Sequence, residues 1–167
     1  MSDLRDLLDA IEKTPGCAVL PPAGQPSLRP GCSLPPDLQE FYDLAGGVTL
    51  FNVGGWANRI VAPKRFVQAD EVLYGKNENG LPEGAWYAIA DVQDGNYLLI
   101  DLHPSRAGRC YDAFHETYRE PGYMKVVALS FTEMLERLYR HGSNQSYWLE
   151  EHFISPGDAY NPIHPSS

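Results

Sequence analysis

The sequence predicts an α+β protein, because it contains helices, an antiparallel hairpin and a final capped helix in that order. The hairpin is predicted by Asp-Gly-Asn at residues 94–96, which separates two apolar runs, residues 86–90 and 97–100. Asp-Gly between such runs is a strong hairpin signal, since a tight turn needs positive φ. The final helix is predicted at residues 130–142.

Two helices are predicted ahead of the hairpin. The first spans residues 2 to about 13, and its apolar residues recur at helical spacing: Leu4, Leu7, Leu8 and Ile11. The second begins near residues 34–37, because proline is tolerated in the first turn of a helix, and it closes at Gly46-Gly47. The Pro- and Gly-rich stretch from residue 14 to residue 35 is predicted to be a loop.

Further strands are predicted on both sides of the hairpin. The runs that fit strands are residues 48–51, 60–62, 110–114 and 124–128. Residues 66–74 fit either a strand or a short helix, since their periodicity does not decide between the two. Residues 76–80 and 103–108 are predicted to be polar turns.

The final helix carries nearly all of its start and stop signals. Ser130 is a good N-cap, and Glu133 stands where the acid of a capping box reaches back to the N–H of Ser130. Leu129 and Met134 occupy the positions of a hydrophobic staple. Gly142 can supply the left-handed exit.

The chain of 167 residues has the length of one compact domain with a tail. We expect the domain to occupy residues 1–142. Residues 143–167 form an aromatic, proline-containing extension, which we expect to dock on the domain or on a partner.

The formal net charge is −9 and the sequence pI is about 4.9. Such a surface repels phosphate backbones, so we expect no nucleic-acid ligand. It attracts basic surfaces and speeds encounter with them, although many proteins are acidic simply for solubility. No apolar run is long enough to span a bilayer, so no membrane contact is expected.

Three widely spaced cysteines, Cys17, Cys32 and Cys110, fit neither a disulfide framework nor a paired metal motif. The N-terminus is acidic and has no apolar run after it, so no secretory signal is predicted. We therefore expect reduced thiols in a cytoplasmic protein.

Catalytic motifs are scarce in this chain, which contains no phosphate loop, nucleophile elbow or metalloprotease helix. The best enzyme hypothesis places a metal or an acid–base pair at Asp101, His103 and His115, because alternate residues of a strand point to one side. The competing interpretation is that strand ends and turns are normally polar. We expect no metal and no cofactor.

Two sets of residues are candidates for a partner-binding surface. The acids at strand ends and loops are Asp91, Asp94, Asp101, Asp112 and Glu116, and the aromatic candidates are Trp56 and Trp148. The competing interpretations are a solvated polar surface for the acids and burial in the core for the aromatic residues.

Three segments in order, residues 34–47, 89–111 and 130–135, resemble the motifs of the SUKH superfamily. That superfamily includes fungal cell-wall-assembly regulators and bacterial toxin-immunity proteins. The resemblance implies an α+β fold in which a mixed or mainly antiparallel sheet packs against N-terminal helices and a C-terminal helix. It also implies a protein-binding module that has no catalytic residues.

The leading hypothesis is an immunity protein whose acidic, partly aromatic surface covers the basic active site of a toxin. The first alternative is an intracellular regulatory scaffold of the cell-wall-regulator type. The second is a small metal-dependent hydrolase that uses the region of Asp101, His103 and His115. The partner and the oligomeric state are left open.

Overall fold

The computed structural model describes residues 4–54, 56–73, 75, 85–142 and 146–160. Within them, seven strands form one antiparallel sheet whose spatial order equals the sequence order. The strands are β1 (Ala18–Val19), β2 (Val48–Val53), β3 (Trp56–Ile60), β4 (Trp86–Asp91), β5 (Tyr97–Asp101), β6 (Cys110–Ala113) and β7 (Val126–Ala128). The predicted α+β fold with an antiparallel sheet is confirmed.

The described residues form four α-helices, which are α1 (Leu4–Glu12), α2 (Pro36–Leu44), α3 (Ala69–Leu73) and α4 (Phe131–His141). Short 3₁₀ turns occur at Pro63–Arg65 and Tyr147–Leu149. The helices α1, α2 and α4 contact one another and contribute their apolar stripes to one large core cluster. No described helix is long and apolar enough to cross a membrane.

Both faces of the central strands are covered. The helix-covered face contributes Tyr87, Ile89 and Leu98 to the large core. The opposite face packs Trp86, Leu99 and Tyr111 in a second cluster beneath α3 and the chain after β6. This two-sided burial explains why β4 reads as a continuous apolar run instead of alternating with polar residues.

The predicted hairpin is confirmed at its turn. Gln93, Asp94 and Gly95 all have positive φ, of 84°, 57° and 77°. The N–H of Asn96 donates to the carbonyl of Gln93 at 3.0 Å and closes the turn. The Asp-Gly pair therefore supplies backbone conformations that most residues avoid.

The capped start of α4 is confirmed, but one bond of the capping box was predicted wrongly. Ser130 Oγ accepts from the N–H of Glu133 at 3.1 Å, and Gly142 ends the helix with a φ of 70°. The carboxylate of Glu133 accepts from the N–H of Leu129 at 3.3 Å, not from that of Ser130. Asp37 of α2 adds a cap from another helix, since its Oδ2 accepts from both N–H and Oγ1 of Thr132.

Three weaker predictions need correction or completion. The loop predicted through residue 35 contains β1, which pairs with β2 at the edge of the sheet. The strand predicted at residues 60–62 begins earlier, as β3, and ends at Ile60. The ambiguous residues 66–74 contain the helix α3, while the turn predicted at residues 76–80 lies outside the described residues.

The described part of the C-terminal extension packs on the domain. The N–H of Val126 donates to Gly157 O at 2.9 Å, and the N–H of Ala159 donates to Met124 O at 2.8 Å, so the extension covers the edge of β7. Tyr147 OH donates to Val127 O at 2.6 Å from a buried position. The division of the chain at residue 142 stays a prediction.

Candidate functional site

Four of the predicted acids lie toward the same end of the central strands. Asp91 pairs with Tyr97, which pairs with Ala113, so the ends of β4 and β6 meet at the start of β5. Asp94 is exposed at the hairpin tip, Glu116 is exposed just after β6, and Asp112 is half-buried on β6. The strand register therefore collects acids that are well separated in sequence.

Asp101 lies at the other end of β5 and is completely buried. Its carboxylate accepts from Tyr111 OH at 2.5 Å, Arg106 Nε at 2.7 Å, the N–H of His103 at 2.9 Å and Trp86 Nε1 at 3.2 Å. Four internal donors thus satisfy this carboxylate. Asp101 holds the 101–109 turn to the sheet and presents no charge to a partner.

The residues of the enzyme hypothesis do not converge. His115 follows Ala113, which pairs with Tyr97, whereas Asp101 is four residues further along β5, or about 13 Å away. His115 Nδ1 instead lies 2.8 Å from Asn96 Oδ1, and His103 Nδ1 accepts from the N–H of Ser105. In the part of the chain that the structure describes, no group of three His, Cys, Asp or Glu side chains could hold a metal ion.

The two aromatic candidates are placed differently. Trp148 is 2% exposed and belongs to the large core cluster, so it offers almost no surface to a partner. Its side chain lies close enough to Asp112 to lower the pKa of that carboxyl. Trp56 is the first residue of β3, and its side chain lies outside the described parts.

A groove of about 490 Å³ opens beside Asp112, between the β4–β5 hairpin, the β6–β7 connection and the 3₁₀ turn of the extension. We call it the Asp112 groove. Its lining residues are Val92, Asn96, Asp112, Phe114, Thr117, Gly122, Tyr123, Lys125, Ser146, Trp148 and Leu149.

Three apolar side chains of the Asp112 groove are open to solvent. Phe114 is 38% exposed, Tyr123 is 59% exposed and Leu149 is 70% exposed. Sequence reasoning did not single them out, because Phe114 continues a strand pattern and Leu149 stands in an apolar run that was expected to dock either on the domain or on a partner. Tyr123 could have been noticed, since it follows Pro121-Gly122 in a turn where a core residue is not expected.

The electrostatics of the groove centre on Asp112. Burial raises its pKa to about 6, while the nearby Lys125 and Trp148 act in the opposite direction. Lys125 Nζ is held in place, because it donates to Trp148 O at 3.0 Å and lies 5.9 Å from the centroid of the Phe153 ring. The arrangement offers a partly desolvated carboxylate between apolar walls, which suits recognition of another polypeptide.

Comparison with known proteins places this fold in a family. The profile of the SMI1 / KNR4 family (SUKH-1) matches residues 28–137, about two-thirds of the chain. The chain belongs to the SMI1 / KNR4 family. This confirms the superfamily resemblance seen in the three sequence motifs.

The SMI1 / KNR4 match runs from the loop before α2 into α4 and therefore includes most of the Asp112 groove. Trp148 and Leu149 lie beyond it. A curated relative, Immunity protein YokJ of Bacillus subtilis (strain 168), is 33% identical over 157 residues, which are 94% of this chain and 95% of that protein. No solved structure matches the chain.

Proposed function

We propose that this member of the SMI1 / KNR4 family is a non-catalytic immunity protein that binds a protein toxin and neutralises it. Similarity to a protein named as an immunity protein over nearly the whole of both chains supports the proposal. The geometric observation that carries it is the Asp112 groove, where exposed apolar side chains lie beside a half-buried carboxylate.

The proposed mechanism is occlusion of a basic substrate-binding cleft on the toxin. Asp91, Asp94 and Glu116 supply negative charge around the groove, and Asp112 lies within it. Long-range attraction raises the rate of encounter, whereas the apolar contacts slow dissociation. Asp101 takes no part in this surface, because its carboxylate is buried and fully engaged.

Co-expression with a candidate toxin, taken from a reading frame next to the gene where one is found, tests the proposal, with cell growth as the readout. The wild type should protect the cells, and a triple charge reversal, Asp91→Lys with Asp94→Lys and Glu116→Lys, should not. The matched control reverses three exposed acids on helices elsewhere: Glu12, Glu40 and Glu71. Failure of the wild type to protect would refute the immunity function, and equal protection by both triple variants would refute the acidic surface.

Family membership also supports a second candidate, a regulatory scaffold of the cell-wall-regulator type. Both candidates bind proteins, so the fold does not separate them. Gene context does: a toxin reading frame next to this gene favours immunity, whereas its absence, together with a stable complex with a cell-wall regulatory protein, favours the scaffold.

A further inference from the structure

We infer that the Asp112 groove receives an exposed segment of the partner in which a large apolar side chain stands next to a Lys or Arg. The inference rests on the proposed function and adds to it the chemistry of the segment that is bound. Three features support it, namely the apolar walls, the sign of the surrounding charge and the rigidity of the wall formed by the extension.

The walls are suited to an apolar anchor. Phe114 and Tyr123 come from opposite ends of the β6–β7 connection and Leu149 from the 3₁₀ turn of the extension, and their exposed surfaces line one hollow. The volume of about 490 Å³ lies within the usual range of about 300–1,000 Å³ for binding pockets. Burial of an aromatic or aliphatic side chain there would remove apolar surface of both partners from water, which is the main source of lasting affinity.

The charge around the groove favours a cation on the partner. Asp94 is exposed between two lining residues of the hairpin, and Glu116 and Glu120 are exposed on the two sides of the lining residue Thr117. The neighbouring bases already have internal partners. Arg119 lies 3.7 Å from the buried Asp70, and Lys125 donates to a carbonyl. Lys125 keeps its charge when it donates to a carbonyl, but Asp94, Glu116 and Glu120 outnumber it, so the net charge of these groups is negative.

Asp112 determines where in the groove a cation of the partner would bind. Asp112 is half-buried in the lining of the groove beside Trp148, so its carboxylate has a defined place between the apolar walls. A carboxylate that is partly removed from water forms stronger charge-assisted hydrogen bonds than one on an open surface. A Lys or Arg next to the apolar anchor would reach this acceptor from the open side of the groove.

The wall formed by the extension is rigid before any partner arrives. Tyr147 is anchored by its hydroxyl to Val127 O, and Trp148 is buried in the core, so the backbone that carries Leu149 is fixed at both preceding residues. A preformed wall lowers the ordering cost of binding. Because Trp148 and Leu149 lie beyond the family match at residues 28–137, this wall also gives the groove a part that the family profile does not specify.

Synthetic peptides test the groove without any toxin. The first probe is a ten-residue peptide with Trp-Leu flanked by Arg and Lys, the second replaces Arg and Lys by Glu, and the third replaces Trp-Leu by Ala-Ala. Binding is followed by fluorescence polarisation and by the NMR signal of the Trp148 indole N–H. The first peptide should bind and shift that signal, and each of the other two should bind at least about tenfold more weakly.

Two substitutions with a matched control locate the binding. Leu149→Glu and Val53→Glu each place a charge at a strongly exposed apolar position, but Val53, 66% exposed on β2, does not line the groove. Leu149→Glu should weaken the first peptide by about tenfold or more, and Val53→Glu should leave its binding unchanged. Asp112→Asn should remove most of the preference for the basic peptide over the acidic one.

Equal binding of all three peptides, or equal effects of Leu149→Glu and Val53→Glu, would overturn the inference. The co-expression assay distinguishes failure of the groove inference from failure of the proposed function. A wild type that protects cells, together with a Leu149→Glu variant that protects equally well, refutes the groove while the immunity function stands. A wild type that does not protect refutes the function, while peptide binding still reports on the groove.

Discussion

The hydroxyl of Tyr111 donates a hydrogen bond of 2.5 Å to Oδ2 of Asp101, and neither residue is exposed to solvent. Burial and the neighbouring carboxylate of Asp101 together raise the pKa of Tyr111 well above its ordinary value. The phenol therefore stays protonated and acts as a permanent donor. Together with Arg106, it compensates a carboxylate that would otherwise be costly to bury.

Asp101→Asn should therefore lower the free energy of unfolding by about 3 kcal/mol or more, because it leaves the largely buried Arg106 guanidinium without its counter-ion. Asp94→Asn is the control, since it makes the same chemical change at an exposed turn where Asn tolerates positive φ, and it should change stability by less than about 0.5 kcal/mol. Urea unfolding monitored by circular dichroism measures the free energy of unfolding of both variants. Equal losses would contradict the assigned role of Asp101.

Ser130→Ala should destabilise the protein by about 1 kcal/mol, because the N–H of Glu133 loses the hydroxyl that caps α4. Ser146 offers a comparison, since it precedes the 3₁₀ turn at Tyr147–Leu149 without a side-chain cap bond. Ser146→Ala should leave stability nearly unchanged. Chemical denaturation measures the stability of the two variants. A larger loss of stability for Ser146→Ala than for Ser130→Ala would show that the cap bond is not the source of the destabilisation.

Gly46→Ala should cost about 3 kcal/mol, because a β-carbon at this position would overlap the carbonyl oxygen of Pro21, which lies in the chain that follows β1. Gly54→Ala isolates the effect of backbone conformation alone. Gly54 has a φ of 61° and open space around it, so the cost there should be only about 1 kcal/mol. Thermal and urea unfolding measure the difference, and a Gly46→Ala variant as stable as Gly54→Ala would mean that β1 shifts at little cost.

Asp112 should make stability depend on pH in an unusual direction for an acid. Its pKa rises from an ordinary 3.8 to about 6 in the folded protein, so between these values the folded state binds the proton more tightly than the unfolded state. The contribution of Asp112 therefore becomes less favourable as pH rises from about 4 to about 6. Lys125 and Trp148 are the groups that face it and limit this effect.

Asp112→Asn cannot titrate, so its stability relative to the wild type should increase across the same pH interval and then level off. Urea unfolding of both proteins at half-unit steps from pH 4 to pH 8 measures the difference. A difference that stays constant over the whole interval would contradict the raised pKa.

Local signals were sufficient for the hairpin turn and for the N-cap of α4, which are decided by residues close together in sequence. The hairpin depends on positive φ at its turn, which Asp94 and Gly95 accept readily, and the start of α4 depends on Ser130 three residues before Glu133. Both were predicted and confirmed. The paired strand β1 was missed, because Ala18 and Val19 carry too little pattern to be recognised without β2 beside them.

The candidate site was predictable only in part. Asp112 and Trp148 were singled out separately, but the groove that both of them line joins residues 36 positions apart in sequence. The acids were treated as one set, whereas the strand register puts Asp101 at the far end of β5 and buries it. Burial of a single carboxylate depends on donors that arrive from other elements, and a one-dimensional pattern does not contain them.

The sequence by itself determined the order of the helices and strands other than β1 and α3, the turn of the central hairpin, the Ser130 cap and Gly142 exit of α4, the acidic charge and the family motifs. Each of these depends on composition or on neighbours within a few residues. Only the tertiary structure decided which acids face solvent, where the extension docks and which apolar side chains line the Asp112 groove. Those features depend on contacts between distant segments, and such contacts exist only once the sheet has set its register.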